Sequence, residues 1–300
     1  MRVPIYPVAA ILVLFFLASC STTNPRYIHN PAVYNASFFR QQGDFKLSGA
    51  FAANPDNLFS NIDLDSSSGD KTDKNLGFDV QAAVAVTNHF MIQVAGMRRF
   101  EKDRFNDDDL LDANESSKIN YTRSMVDVGA GFYTAMGASN KVYFNGIFGA
   151  GFGSSKSTDR GMPTERKRYY DYHFVKYHLS PSFNFFFSDN ARMSVAPQFS
   201  LMTTSNISTN YTEDEQARVG YNTLPGKNKV FFEPSMLFQA GFPNISWMKF
   251  DVGMHFATNP LSSKSNEDAP PTVYENRDLR SRKFLLSLGL SFYPFEGKRK

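Results

Sequence analysis

The stretch Phe284-Leu285-Leu286-Ser287-Leu288-Gly289-Leu290-Ser291-Phe292 decides the fold class. Phe284, Leu286, Leu288, Leu290 and Phe292 fall on one side of an extended chain, and Leu285, Ser287, Gly289 and Ser291 on the other. Successive side chains of a strand point to opposite faces, so this period of two predicts a strand with one wholly apolar face. The same alternation recurs upstream. Phe78, Val80, Ala82, Val84 and Val86 oppose Asp79, Gln81, Ala83 and Ala85, and similar rows are Val126, Val128, Ala130 and Phe132, then Val142, Phe144, Phe148 and Phe152, then Met248, Phe250, Val252, Met254 and Phe256.

Segmenting the chain on this pattern gives ten strands, near 44–53, 77–87, 89–100, 119–134, 140–153, 168–187, 190–202, 228–241, 245–257 and 282–293. Their connections alternate strictly between long ones and tight turns, the turns lying at Asn88, Gly137, Asp189 and Asn244. Short turns on one side and long loops on the other are the mark of an up-and-down antiparallel transmembrane β-barrel, with periplasmic turns and extracellular loops. The strands also reach the roughly nine to eleven residues that a tilted spanning strand requires. An even strand count is expected to return both termini to the same side, which suits a periplasmic lipid anchor.

The rival is a soluble β-sandwich tethered in the periplasm, which alternates in the same way. Its outer face should carry many long charged side chains. Here the second face is rich in Gly, Ala, Ser, Asn and Gln, with isolated charges of both signs at Asp79, Asp127, Arg192, Glu233, Lys249 and Asp251. That composition suits a narrow lumen in which opposite charges pair. Aromatic residues gather near strand ends, at Tyr169, Tyr170 and Tyr172, at Phe231 and Phe232, and at Tyr293 and Phe295, and are expected to form girdles at the two membrane interfaces.

Composition narrows the function. The 300 residues hold 32 Lys and Arg against 29 Asp and Glu, a net charge of +3 that offers no basic stripe for nucleic acid. Thirty Phe and 14 Tyr beside one Trp favour strands, and one cysteine excludes an intramolecular disulfide or a thiolate-rich metal site. Arg2 precedes an apolar run from Val8 to Leu17, the length of a secretory signal and too short to span a bilayer. Leu17-Ala18-Ser19-Cys20 follows and resembles the lipobox of bacterial lipoproteins, with Cys20 as the acylated residue. The expected organisation is therefore a signal peptide over 1–19, a linker from the lipidated cysteine over 20–43, a barrel over 44–295 and a basic tail over 296–300.

Catalytic and metal motifs are weak. His255 lies on the lumen side with Lys249 and Asp251, and His178 also faces inward, but no nucleophile is specified, so an enzyme is not expected. Asp63, Asp65 and Asp70 in the first long loop, and Asp107, Asp108, Asp109 and Asp112 in the second, are hard-oxygen groups without EF-hand spacing and read as solvated loop tips. Gly149-Ala150-Gly151-Phe152-Gly153 lies inside a strand with no helix after it, and reads as close packing rather than a phosphate turn. No cofactor or metal is expected.

Cys20, the closely spaced strands 77–87 and 89–100, Phe232-Glu233-Pro234, Ala240-Gly241-Phe242 and the ending Ser287-Leu288-Gly289-Leu290-Ser291-Phe292 together resemble the small outer-membrane β-barrel lipoproteins of the Bacteroidota. The resemblance implies an outer-membrane, lipid-anchored barrel acting as an interaction or structural module, with membrane lipid and other outer-membrane or periplasmic proteins as partners. In that family acidic residues soon after the cysteine direct export to the surface. Their absence from Ser21 to Asn24 implies a periplasm-facing anchor. The tail after Phe295 departs from the usual aromatic ending. The alternatives are a small-solute pore, a barrel-embedded hydrolase centred on His255, and the tethered sandwich.

Overall fold

The computed structural model describes residues 26–34, 36–54, 74–105, 116–162, 166–242, 245–259 and 279–296. Cys20, the acidic tips of the first two long loops, the Asn244 turn and the basic tail beyond Glu296 lie outside the described residues.

The strands are β1 (Tyr27–His29), β2 (Phe45–Ala53), β3 (Lys74–Ala85), β4 (Phe90–Phe105), β5 (Ser116–Ala135), β6 (Val142–Met162), β7 (Lys167–Phe186), β8 (Ala191–Ala196), β9 (Phe199–Thr209), β10 (Lys229–Phe232), β11 (Ser235–Phe242), β12 (Ile245–Phe256), β13 (Arg280–Ser281) and β14 (Phe284–Phe292). From β2 to β7 each strand pairs antiparallel with its successor, and β14 closes the ring by pairing with both β12 and β2. On the far side β8 and β9 form one interrupted stave, since β7 pairs with both, and β10 and β11 form another. Pro197 and Pro234 sit at the two interruptions, where a missing N–H removes a ladder bond. Twelve sheet strands thus make the ten staves of a closed antiparallel barrel.

The outside is apolar. Phe78, Val80, Val94, Val126, Val128, Phe148, Phe152 and Leu288 are each 45–63% exposed, which in water would be an unusually large apolar surface. On β4 the outward row from Phe90 to Phe100, apolar except at Gly96 and Arg98, covers ten residue steps, about 33 Å along the strand and about 25 Å along the axis at the usual tilt. That height matches the apolar band of a transmembrane barrel. A sandwich would have hidden these rows between two sheets.

Two expectations about the long connections change. The connection between 153 and 168 is a strand extension, because β6 runs to Met162 and β7 starts at Lys167. Above the membrane Ser155, Ser157 and Asp159 point inward while Lys156, Thr158 and Arg160 point outward, so both faces are polar and the hydropathy alternation vanishes although the ladder continues. The connection after β9 contains a helix, α1 (Glu213–Val219). Thr212 caps it by accepting from the Glu215 N–H, and the Glu215 carboxylate accepts from the Thr212 N–H, a reciprocal capping box.

The expected aromatic girdles form only in part. Tyr169 faces outward and Phe295 is half-exposed at the barrel floor beside Phe38 and Lys249, but Tyr170, Tyr172, Phe231 and Tyr293 are buried in the lumen. Neighbours along a strand must take opposite faces, so a run of aromatics cannot all reach the interface.

The largest departure concerns the segment expected to be a linker. From Arg26 to Phe39 it is threaded through the lumen, with Ile28, Asn30, Ala36, Ser37 and Phe39 no more than 1% exposed. It enters beside Asp159 at the long-loop end, passes Asp79 and His255, and leaves near Asp44 and the Asp189 turn at the opposite end. A turn at Gln41–Gly43 then reverses it into β2. The described chain therefore begins at the long-loop end and finishes, at Glu296, at the short-turn end. Strand parity brings only the ends of the barrel wall together, because the threaded segment adds one more crossing.

Candidate functional site

The lumen is organised in three levels around the threaded segment. At the long-loop end Tyr211, Val219, Tyr221 and Leu224, from α1 and its flanks, pack with Ile28, Tyr170 and Leu279 into an apolar cap. Tyr170 and Tyr221 stack with ring centroids 4.0 Å apart. Burial pushes the Tyr221 hydroxyl up to about 12. Arg168 Nε and Nη2 donate to Glu215 at 3.0 and 2.9 Å and tie α1 to the wall. At the short-turn end Phe38 and Phe39 pack edge-on against Phe186 and Tyr133 in a second apolar layer.

From beside the cap down into the space between the two layers runs a band of charge. Arg99 pairs with Asp79 at 2.6 Å, Lys176 with Glu233 at 2.7 Å, Arg26 with Asp159 at 3.1 Å, and His178 Nε2 meets Asp127 at 2.9 Å. Glu101 is shared by Arg123 and Arg282, and Arg282 also reaches Asp103. All lie out of solvent, where an unpaired charge is costly and a paired, hydrogen-bonded one is tolerated.

The wall supplies the hydrogen bonds that the threaded backbone lacks. The Val33 N–H donates to Asp79 at 3.2 Å, and Gln81 Nε2 donates to the Val33 carbonyl at 2.6 Å. The Tyr172 hydroxyl donates to the Ile28 carbonyl at 2.7 Å, Lys46 Nζ to the Ala36 carbonyl at 3.0 Å, and the Asn145 and Asn184 amides to the Ser37 carbonyl at 3.0 and 3.3 Å. A buried irregular backbone needs such partners, so these side chains form a socket specific to this segment. β1 adds a short parallel pairing with β13, in which Tyr27 faces Arg280.

Each charge expected in the lumen points inward, but they do not form one site. Asp79, Asp127 and Glu233 line a cavity of about 50 Å³ together with Lys176, His178 and Ser180. Asp251 is lower, accepting from Gln239 Nε2 at 2.9 Å and from Ser291. Arg192 and Lys249 lie at the floor, where both donate to the Asp189 carbonyl and pair with Glu296. His255 touches neither Asp251 nor Lys249. Its Nδ1 accepts from the Tyr34 N–H at 3.3 Å, which leaves Nε2–H to donate to Ser287 at 2.9 Å, with Ser235 also within 3.2 Å of Nδ1. It is a neutral fastening for the threaded chain.

A Ser–His–acid grouping occurs instead at Asp127, His178 and Ser180. Ser180 Oγ is 3.5 Å from His178 Nδ1 and donates to Gln198 at 2.6 Å, so its proton points away from the imidazole. The adjoining cavity, about 50 Å³, has room for a few water-sized molecules and is too small for a lipid or peptide substrate. Gly149 makes room for this imidazole, since a Cβ there would lie 2.3 Å from His178 Nε2. Among the described residues no group of three His, Cys, Asp or Glu could hold a metal ion.

Arg26, Lys46, Arg99, Glu101, Asp103, Arg123, Asp159, Lys176 and Arg282 are lumen charges that the sequence analysis did not single out. Parity along β4, β5 and β7 could have shown that Arg99, Glu101, Asp103, Arg123 and Lys176 share the inward face.

No family model and no curated protein matches the sequence. Among solved structures the chain is similar to the translocator domain of the autotransporter NalP from Neisseria meningitidis, with 7% identity over 84% of this chain and 88% of that one and a TM-score of 0.45. It is also similar to the transport unit of the autotransporter AIDA-I from Escherichia coli, with 10% identity over 86% and 93% of the two chains and a TM-score of 0.41. The Yersinia pestis outer membrane protein Ail is 8% identical over 84% and 99%, with a TM-score of 0.30. These are likenesses in barrel architecture.

Proposed function

We propose that the chain is a lipid-anchored outer-membrane β-barrel without catalytic activity, which serves the envelope as an interaction or structural module through its long-loop end. The observation that carries this is the threaded segment 26–40, capped by apolar residues at both ends and bonded to the wall through the backbone of Ile28, Val33, Tyr34, Ala36 and Ser37. Ten staves enclose a space that side chains and one threaded segment can fill, whereas open channels use about sixteen. The apolar belt and the alternation of short turns with long connections support an outer-membrane setting with the long-loop end outside.

Cys20 is the proposed acylation site. It precedes Arg26 by six residues, a covalent reach of about 20 Å at full extension, so the anchor belongs on the long-loop side. A periplasm-facing anchor would require those residues to pass back through a filled lumen.

Planar-bilayer recordings on the full chain test the closed lumen. No steady conductance is expected, and a solute-sized conductance would make the protein a pore. Replacing Cys20 with Ser should remove the mass of the acyl groups yet leave the protein dependent on detergent. The Asp127–His178–Ser180 grouping favours a hydrolase as second reading. Turnover of lipid or peptide by the wild type that disappears in Ser180→Ala would establish it.

A further inference from the structure

The outward face of β4 to β7 above the apolar belt carries a row of cations in direct register. Arg104 pairs with Lys118 across β4 and β5, Lys118 with Arg160 across β5 and β6, and Arg160 with Lys167 across β6 and β7. Directly opposed residues on one face bring their Cβ atoms within about 4.5–5.5 Å, and like charges so placed repel. Among the described residues none of these four side chains has an anionic partner. The nearby acids among the described residues, Glu101, Asp103 and Asp159, point inward and are held by Arg123, Arg282 and Arg26. Asp171, outward-facing on this wall, stands opposite Lys156.

The row is one-sided. At the same end of β12 and β14 the outward residues are Phe256 and Phe284, stacked 4.7 Å apart. Below the cations comes Phe100, and then Arg98 in register with Ser124, which faces Ser154, within the upper part of the apolar belt. A trough of about 630 Å³ opens there on the lipid-facing wall, bordered by Phe78, Val80, Val126, Phe152 and Val175. Charge above and a shallow, mostly apolar trough below, with Arg98, Ser124, Ser154, His173 and Ser205 among its lining, match an amphiphile with an anionic head.

We infer that this wall binds a lipid whose headgroup carries phosphate groups, with the phosphates on the Arg104–Lys118–Arg160–Lys167 row and an acyl chain in the trough. Phosphate suits the row because guanidinium groups bind it bidentately and ammonium groups as point charges, and a multiply charged head can bridge adjacent strands. The bound head neutralises the repulsion that the ladder register imposes among these described cations. The site rests on the placement of the long-loop end in the outer leaflet.

The test is retention of diphosphoryl lipid A, monophosphoryl lipid A and phosphatidylcholine by the full chain in detergent, read by native mass spectrometry. Wild type should retain the diphosphoryl form about ten-fold or more over phosphatidylcholine, with the monophosphoryl form between them. The variant R104S/K118S/R160S/K167S should lose that preference at unchanged heat-modifiable migration. Should it fail to fold, K118Q/R160Q provides the same comparison. Equal retention of the lipids by wild type, or equal retention by wild type and variant, overturns the site. Displacement of lipid by millimolar inorganic phosphate overturns the lipid as occupant and leaves a soluble-phosphate site. Because the measurement is made in detergent, it is independent of orientation, which protease digestion of intact cells checks separately.

Discussion

Removing the charge of Glu233 should destabilise the barrel and loosen the threaded segment together. Glu233 is 3% exposed at the break between β10 and β11, and it takes Lys176 Nζ at 2.7 Å, His29 Nε2 at 2.7 Å, Ser200 Oγ at 2.5 Å and Gln198 Nε2 at 3.1 Å. In Glu233→Gln the volume is kept, but the Lys176 ammonium, 1% exposed, loses the carboxylate that balances it, and one oxygen becomes a donor facing donors. Leaving one partner of a buried pair uncompensated costs about 3–5 kcal/mol. Adding Lys176→Met to Glu233→Gln should recover part of that loss, since the stranded ammonium is then gone. The assay is equilibrium urea unfolding in detergent by far-UV circular dichroism, run as a double-mutant cycle, with hydrogen exchange of residues 26–40 followed in parallel. A loss below about 1 kcal/mol, the range of exposed pairs, would refute the claim that this band is desolvated and holds the segment.

Three further outcomes follow from the geometry. Leu288→Arg, at a lipid-facing position 54% exposed, should cost about 2–4 kcal/mol in lipid-bilayer folding titrations if it lies near the midplane, whereas Arg104→Leu, above the apolar belt, should cost little. Gly149→Ala should push the His178 ring off Asp127, visible as a shift of the His178 imidazole resonances, while Ala150→Gly on the outer face leaves them unchanged. Glu215 is held below the usual carboxylate range: burial opposes ionisation, but hydrogen bonds from Arg168 and the Thr212 N–H, with Arg166 nearby, outweigh it. A depressed folded value means that this tie is complete above about pH 4.3, the free Glu value, and is lost as the pH falls through the folded value. Proteolysis within 212–224 should therefore be flat down to that pH and rise below it, and Glu215→Gln should raise it at neutral pH.

Much of the wall was legible from the chain itself, and the reason is local. A spanning strand sees hydrocarbon on one side and the lumen on the other, so Phe284 to Phe292 records its surroundings residue by residue, and Asp79, Asp127 and Lys249 declare their face by parity. The record fades above the bilayer. There Asp159 and Arg160 lie between water and a polar interior, neither side demands an apolar residue, and a ladder reaching Met162 looks like a loop.

Which partners meet inside was not written locally at all. His255 stands two lumen positions from Asp251 on one strand, yet it bonds Ser287 across the ladder and the Tyr34 N–H of a segment more than two hundred residues earlier. The threaded segment has no period because its backbone is paired with side chains of many strands and not with one neighbouring strand. Alternation of apolar and polar residues thus determined that strands would form and which way each would face. Ring closure alone decided that residues 26–40 fill the lumen, since the socket of Gln81, Asn145, Lys46 and Tyr172 exists only when distant strands have been brought around a common axis.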